Sequence, residues 1–183
     1  MSYKVNEIFY SLQGEGLHTG EPAIFIRFSG CNLACPWCDT DHKAFTEMTA
    51  EQITSECNHY PAQLVVLTGG EPALQADDAL IAALHDAGYY IAIETNGTHS
   101  LPDDIDWVTC SPKEGSHVVL SEADEIKIVY TGQDVEHWRE QLLSEHYLLQ
   151  PCSCQNTKQV VDYVLSHPWW RLSLQTHKIL DIK

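Results

Sequence analysis

Three cysteines fall within eight residues, in Cys31-Asn32-Leu33-Ala34-Cys35-Pro36-Trp37-Cys38, with C-x3-C-x2-C spacing. Thiolates are soft ligands that suit iron and zinc alike. Three of them on one loop can wrap a compact iron-sulfur cluster, each thiolate on a different iron. The fourth iron of such a cluster then lacks a protein ligand, and an open position is what separates a catalytic metal centre from a closed structural one. An iron left open in this way can chelate adjacent amino and carboxylate groups and pass an electron into the ligand that carries them. Spacing alone leaves two other readings: a structural zinc site, or an electron-transfer cluster with a distant fourth ligand. A second stretch, Gly69-Gly70-Glu71-Pro72, is by itself only a tight turn of the kind glycine permits.

The elements that must position these groups are short. Six β-branched or aromatic runs read as strands: Ala23 to Phe28, Leu64 to Thr68, Tyr89 to Ile93, Trp107 to Cys110, Ile126 to Tyr130 and Tyr147 to Leu149. Amphipathic stretches alternate with them. Thr49 and Gln52 form a capping box, and Leu80, Ile81, Leu84 and Ala87 share one face before a Gly88 stop. Val160, Val161, Val164 and Leu165 repeat that spacing behind an Asn156 cap. Such alternation implies parallel strands with crossover helices. A polar or glycine-rich cluster follows strand after strand: the cysteines, Gly69 to Pro72, Glu94-Thr95-Asn96-Gly97, Ser111-Pro112-Lys113 and Gln150-Pro151. In a parallel barrel these ends converge on one mouth. About six strands is fewer than the eight of a closed barrel. The expected fold is therefore α/β, a partial, trimmed TIM-like barrel of about six parallel strands in one domain over residues 1–183. Its open side needs cover from a loop, a substrate or a partner subunit.

Composition narrows the function. The formal charge of -16, from 26 acids against 10 bases, has the wrong sign for neutralising nucleic-acid phosphates. With 183 residues and 44% hydrophobic content, one domain can bury roughly two-thirds of its unfolded surface. No run approaches the ~20 apolar residues of a membrane span, and the first residues carry Asn6, Glu7 and Gln13 instead of a signal-peptide core. A soluble cytoplasmic protein is expected. Seven cysteines, an odd number with three crowded together, suit a metal site better than a disulfide framework. Cys57, Cys110, Cys152 and Cys154 remain, and packing is expected to account for them, as for His117 and the Trp169-Trp170 pair.

In this order, the cysteine triad followed by Gly69 to Pro72 resembles the radical S-adenosylmethionine (SAM) superfamily. Four further segments resemble the 7-carboxy-7-deazaguanine synthase family of the queuosine pathway, a lyase family whose product serves tRNA modification. They are Leu12-Gln13-Gly14-Glu15-Gly16, Cys38-Asp39-Thr40, Ser111-Pro112-Lys113 and Gln175-Thr176-His177-Lys178. The resemblance runs from about Asn6 to the end, and the chain departs from it by being compact between Thr40 and Leu64. It implies a homodimer with a [4Fe-4S] cluster, SAM and Mg2+, and an external electron donor such as flavodoxin or ferredoxin. The implied reaction converts 6-carboxy-5,6,7,8-tetrahydropterin to 7-carboxy-7-deazaguanine with loss of ammonia, SAM being regenerated. It begins with a 5'-deoxyadenosyl radical taking hydrogen from C6.

The resemblance also distributes roles. Cys31, Cys35 and Cys38 hold the cluster, and Thr40 ligates Mg2+ through its hydroxyl, although a lone threonine is more often a cap or turn residue. SAM falls to Trp37, Cys38, Asp39, Gly70, Ser111, Pro112, Lys113 and the run Gln150, Pro151, Cys152 and Ser153. Substrate falls to Leu12, Gln13, Gly14, Glu15, Arg27, Thr68 and Lys183. Arg27, within an apolar strand, suits a carboxylate by its planar fork, with a structural ion pair as the alternative. Gln13 and Glu15 suit the donor and acceptor edge of a pterin, or cap a loop. Glu94 and His177 suit proton exchange near the migrating ring nitrogen, or are structural. Two rivals stand beside this reading: a glycyl-radical activase, and an iron-sulfur or zinc module without a reaction of its own.

Overall fold

The computed structural model describes residues 1–38, 40–41 and 43–183. One nine-stranded sheet runs through it: β1 (Tyr3–Leu12), β2 (Pro22–Phe28), β3 (Thr46–Met48), β4 (Leu64–Gly69), β5 (Tyr90–Thr95), β6 (Trp107–Cys110), β7 (Glu125–Tyr130), β8 (His146–Pro151) and β9 (Arg171–Leu172). The order is β3-β1-β2-β4-β5-β6-β7-β8-β9. Every neighbour from β2 onward is parallel, and β1 is antiparallel to β2 and β3. The six expected strands are all present, as β2 and β4 to β8. The two-residue β9 extends the parallel series, and β1 and β3 add an edge that periodicity did not disclose. In β1 the alternation is broken by a register shift between Val5 and Glu7, and such a bulge hides a period-two pattern.

Strand parity organises the rest. On β2, Ile24, Ile26 and Phe28 join the core under the helices, as do Val65 and Leu67 of β4 and Ile91 and Ile93 of β5. Successive side chains of a strand point to opposite faces, so Arg27, Thr68, Glu94 and Lys127 fall on the other, inner face. There an apolar floor of Phe9, Ala23, Phe25, Leu64, Val66 and Ala92 supports them.

The helices are α1 (Ala50–Cys57), α2 (Asp78–Asp86), α3 (Glu136–Gln141), α4 (Thr157–Ser166) and α5 (Thr176–Leu180). The Thr49–Gln52 capping box is present at α1, and α2 buries Leu80, Ile81 and Leu84 before Gly88 at φ +87°. Helix α4 differs from expectation: only Val160 is buried within it, and Leu165 is exposed. Asn156 sits at its start without capping it, because Oδ1 accepts from Cys152 N (2.9 Å) and Nδ2 donates to Tyr130 O (2.8 Å). Its side chain thus ties the end of β7 to the loop after β8. Trp170 is buried, donating to Glu136 Oε1 at 2.7 Å. Cys57 and Cys110 are buried, while Cys152 and Cys154 are half-buried.

The open side of the sheet is spanned from within the chain. Thr176 N donates to Gly14 O (2.9 Å), Gly16 N to Ser173 Oγ (3.1 Å) and Ser11 Oγ to Lys183 O (2.6 Å), so the C-terminal segment straps the loop after β1. Among the described residues no helix is long and apolar enough to cross a membrane.

Candidate active site

A cavity of about 380 Å³ opens where the parallel strands end. Its lining includes Cys31, Cys35, Cys38, Trp37 and Thr40 from the cysteine loop, and Thr68, Gly70, Glu94, Ser111 and Lys113 from the ends of β4, β5 and β6. Gln150, Pro151, Cys152 and Ser153 enter from β8, Leu12, Gln13, Gly14 and Glu15 from the end of β1, and Arg27, His177 and Lys183 complete it. The site residues expected from sequence thus share one chamber, with two exceptions. Pro112 is buried and does not line it, because it sits between Ser111 and Lys113, which do. Asp39 lies outside the described residues.

The cysteine loop is held against the glycine turn by backbone contacts. Gly70 N donates to Phe28 O (3.1 Å) and Glu71 N to Gly30 O (2.9 Å). A Cβ on Gly70 would lie 2.0 Å from Gly30 O and 3.1 Å from Cys31 Cβ, so only glycine lets β4 end there. Glu71, fully buried, accepts from Ala73 N (3.0 Å), Thr95 Oγ1 (2.6 Å) and Asn96 N (2.7 Å), stitching the end of β4 to that of β5. Burial pushes the Cys31 thiol up, and Glu71, Cys35 and Cys38 add to that against a hydrogen bond from Leu33 N. Lys113 donates to Ser111 O (2.6 Å) and Oγ (2.7 Å) and lies 5.5 Å from the Trp37 ring centroid. Burial pulls its pKa down.

The opposite wall holds a charged network whose centre sequence reasoning missed. Lys127, 2% exposed, donates to Glu15 Oε2 at 2.7 Å and to Glu94 Oε2 at 2.9 Å. Gln13 Nε2 donates to Glu94 Oε1 (2.9 Å), Gln13 Oε1 accepts from Glu15 N (3.1 Å), and Gln175 Nε2 donates to Glu15 Oε1 (2.8 Å). Burial would raise the Glu15 carboxyl, but the Lys127 charge and hydrogen bonds from Lys127, Gln175 and Gln150 hold it down at about 2. Burial likewise works against the Lys127 ammonium, and Glu15, Glu94 and Glu125 overcome it, placing its pKa well above the usual lysine range. Parity would have disclosed Lys127, the one basic residue of an apolar strand and in step with the inner face.

Arg27 occupies a third corner. Its Nε donates to Glu7 Oε1 at 2.9 Å, which is the structural ion pair, and Glu7 also takes Lys183 Nζ. Burial would raise the Glu7 carboxyl, but hydrogen bonds from Lys183 and Arg27 hold it below its usual range. The pair uses only Nε, so the two terminal nitrogens keep the fork geometry that grips a carboxylate. Gly14 lies beneath the His177 ring, where a Cβ would meet Nδ1 at 2.2 Å.

These residues fit the groups the motif implies. A cubane cluster takes one thiolate per iron, and three free thiols line one wall. Among the described residues no three Cys, His, Asp or Glu side chains form a ready pocket for a single metal ion. The half-buried Lys113 amine and the side-chain-free Gly70 turn line the same cavity as the thiols, a setting that suits an anionic cluster with a bound organic ligand.

Parallel strands, a cysteine loop after the first of them and a glycine turn after the second define a radical SAM protein, and the Radical SAM superfamily model matches residues 25–109. The 7-carboxy-7-deazaguanine synthase of Bacteroides thetaiotaomicron is 62% identical over 183 residues, covering 100% of both chains. That of Bradyrhizobium diazoefficiens is 44% identical over 214 aligned positions, again covering 100% of both. The crystal structure of QueE from Escherichia coli superposes with a TM-score of 0.81 at 33% identity, covering 96% of this chain and 94% of that one. The chain belongs to the 7-carboxy-7-deazaguanine synthase family. A [4Fe-4S] cluster and SAM are the cofactors that membership in the superfamily implies.

Proposed function

We propose that the cavity converts 6-carboxy-5,6,7,8-tetrahydropterin to 7-carboxy-7-deazaguanine with loss of ammonia. The observation that carries this is that the thiol wall and the Lys127 network face one chamber. That chamber lies within the usual ~300–1,000 Å³ of small-molecule sites. Residues 1–183 act as one radical SAM domain, working as a cytoplasmic homodimer with flavodoxin or ferredoxin as reductant.

Cys31, Cys35 and Cys38 hold the cluster. When bound, a reduced cluster and SAM would supply the carbon-centred radical chemistry that hydrogen abstraction from the substrate ring requires. The protein orients the two ligands and excludes competing reactions. Trp37, Cys38, Gly70, Ser111, Lys113 and the run Gln150 to Ser153 form the SAM side of the chamber, and Asp39 is assigned to SAM with them on its motif alone. Leu12 to Glu15, Thr68 and Lys183 form the substrate side. Arg27 grips the substrate carboxylate with its terminal nitrogens while Glu7 holds Nε. Thr40 would offer its hydroxyl oxygen to Mg2+, a hard cation that takes oxygen ligands. Glu94, held by Lys127 and Gln13, and His177 beside Gly14 serve proton exchange with the ring nitrogen that leaves.

The test is anaerobic turnover of the pterin with SAM and reductant, followed by mass spectrometry of the deazaguanine product. Wild type is expected to form it, and Cys35→Ala to lose cluster iron and 5'-deoxyadenosine formation together, while Cys154→Ala keeps both. Formation of 5'-deoxyadenosine by Cys35→Ala would overturn the cluster assignment. Absence of product from cluster-loaded wild type would overturn the substrate.

A further inference from the structure

Among the described residues, one fully buried polar atom of the cavity-lining side chains is left without a hydrogen-bond partner. Gln175 is 7% exposed and lines the cavity, yet its buried Oε1 has no hydrogen-bond partner among the described residues. Its orientation is set by a neighbour. Nε2 donates to Glu15 Oε1 at 2.8 Å, and Glu15 Oε2 takes the Lys127 ammonium at 2.7 Å. Lys127 keeps Glu15 ionised, and an ionised carboxylate only accepts. Flipping the amide would set its carbonyl oxygen against that carboxylate. The Lys127–Glu15 pair therefore fixes the polarity of Gln175 and turns Oε1 away from Glu15. An unpaired buried acceptor is a standing cost to the fold, and an arriving N–H removes it. Gln13 differs, since its Nε2 already serves Glu94 and its Oε1 already accepts from Glu15 N.

We propose that Gln175 is a specificity-determining residue whose Oε1 accepts from the exocyclic amino group of the substrate's pyrimidine ring. The inference rests on the pterin reading above. Exchanging that amino group for oxygen gives the 2,4-dioxo counterpart, in which N1 also gains a proton and the C2 substituent would present oxygen to oxygen. A site built to pair with a substrate N–H rejects an analogue that leaves its acceptor unpaired.

The experiment is calorimetric titration of anaerobically reconstituted, SAM-loaded protein with 6-carboxytetrahydropterin and with the analogue carrying oxygen in place of the 2-amino group. Wild type should prefer the amino compound by roughly tenfold to a hundredfold, and Gln175→Met, similar in length but without the acceptor, should bring the two within about threefold. Its cluster absorbance and SAM affinity should match wild type. If Gln175→Met does not hold its cluster, Gln175→Asn, which withdraws the amide by one methylene, serves the same comparison and should lose part of the preference. Gln175→Met that keeps the full preference, weakens both ligands by one factor or instead weakens SAM binding overturns the inference. Wild type that neither binds nor turns over the pterin overturns the reading beneath it.

Discussion

Replacing Lys127 by Met tests the network that shapes the substrate wall. The substitution removes one ammonium and leaves two carboxylates, Glu15 and Glu94, that it held at 2.7 and 2.9 Å. The side chains of Glu15 and Glu94 are 16% and 22% exposed, so neither can turn fully to water. Deleting one partner of a buried pair costs about 3–5 kcal/mol, because the remaining charge is uncompensated. For a domain of this size each kcal/mol moves the melting temperature by roughly 2–4 °C, so a fall of about 6–20 °C is expected. Lys127→Met/Glu15→Gln should recover part of it, since one of the two stranded charges is gone and Glu94 remains. The pH dependence has a definite sign. In wild type Glu15 is depressed to about 2, so the stability it contributes is complete above the unfolded carboxylate range and is lost only as pH falls through that value. In the Met variant burial raises Glu15, and protonation relieves it. The gap between the two proteins should therefore narrow from pH 7 to pH 5. Anaerobic thermal melts followed by far-ultraviolet circular dichroism measure all of this. A Lys127→Met protein within about 2 °C of wild type, or a double variant no better than the single, would refute the argument for a buried charge cost.

Three further outcomes follow from the geometry. Gly70→Ala forces a methyl to within 2.0 Å of Gly30 O, so it should abolish the SAM-dependent change in the cluster's electron paramagnetic resonance spectrum while iron content falls less; an unchanged response would contradict the close approach. Arg27→Ala should weaken the pterin by roughly tenfold to a hundredfold, the worth of a charge-assisted bidentate pair, and Arg27→Lys should recover only part; calorimetry that finds the same loss for an analogue without the carboxylate would assign Arg27 to Glu7 alone. Thr40→Ala should lose most stimulation by Mg2+ and Thr40→Ser should keep much of it, since the hydroxyl remains; equal magnesium dependence in wild type and Thr40→Ala would exclude the ligand role.

The fold was legible where one physical signal acted alone. The parallel strands β2 and β4 to β8 are continuous apolar runs because helices or the barrel interior cover both faces, and turn chemistry marks their ends. Strand β1 was hidden because its bulge at Val5 and Glu7 breaks the alternation that betrays a strand. Strands β3 and β9, three and two residues long, are too short to carry any period. In α4 the spacing of Val160, Val161, Val164 and Leu165 looked like a buried face, yet only Val160 is buried. Asn156 failed as a cap for a tertiary reason, since its two amide ends were recruited by Cys152 and Tyr130. Local rules cannot see such a distant competitor.

The site divides along the same line. Cysteine spacing and a glycine turn are local, so they stood out in the sequence. The charged network is non-local: Glu15, Glu94, Lys127 and Gln175 come from the loop after β1, from β5, from β7 and from the segment after β9, and only the tertiary fold unites them. Its trace in the sequence was parity, for a lysine in an apolar strand cannot face the helices without stranding its charge, and must face inward toward acids. Once inward, it dictates the rest: Glu15 stays ionised, Gln175 turns its nitrogen to Glu15, and the Gln175 Oε1 acceptor is left unpaired among the described residues. The specificity of the chamber thus descends from one buried charge that no motif contains.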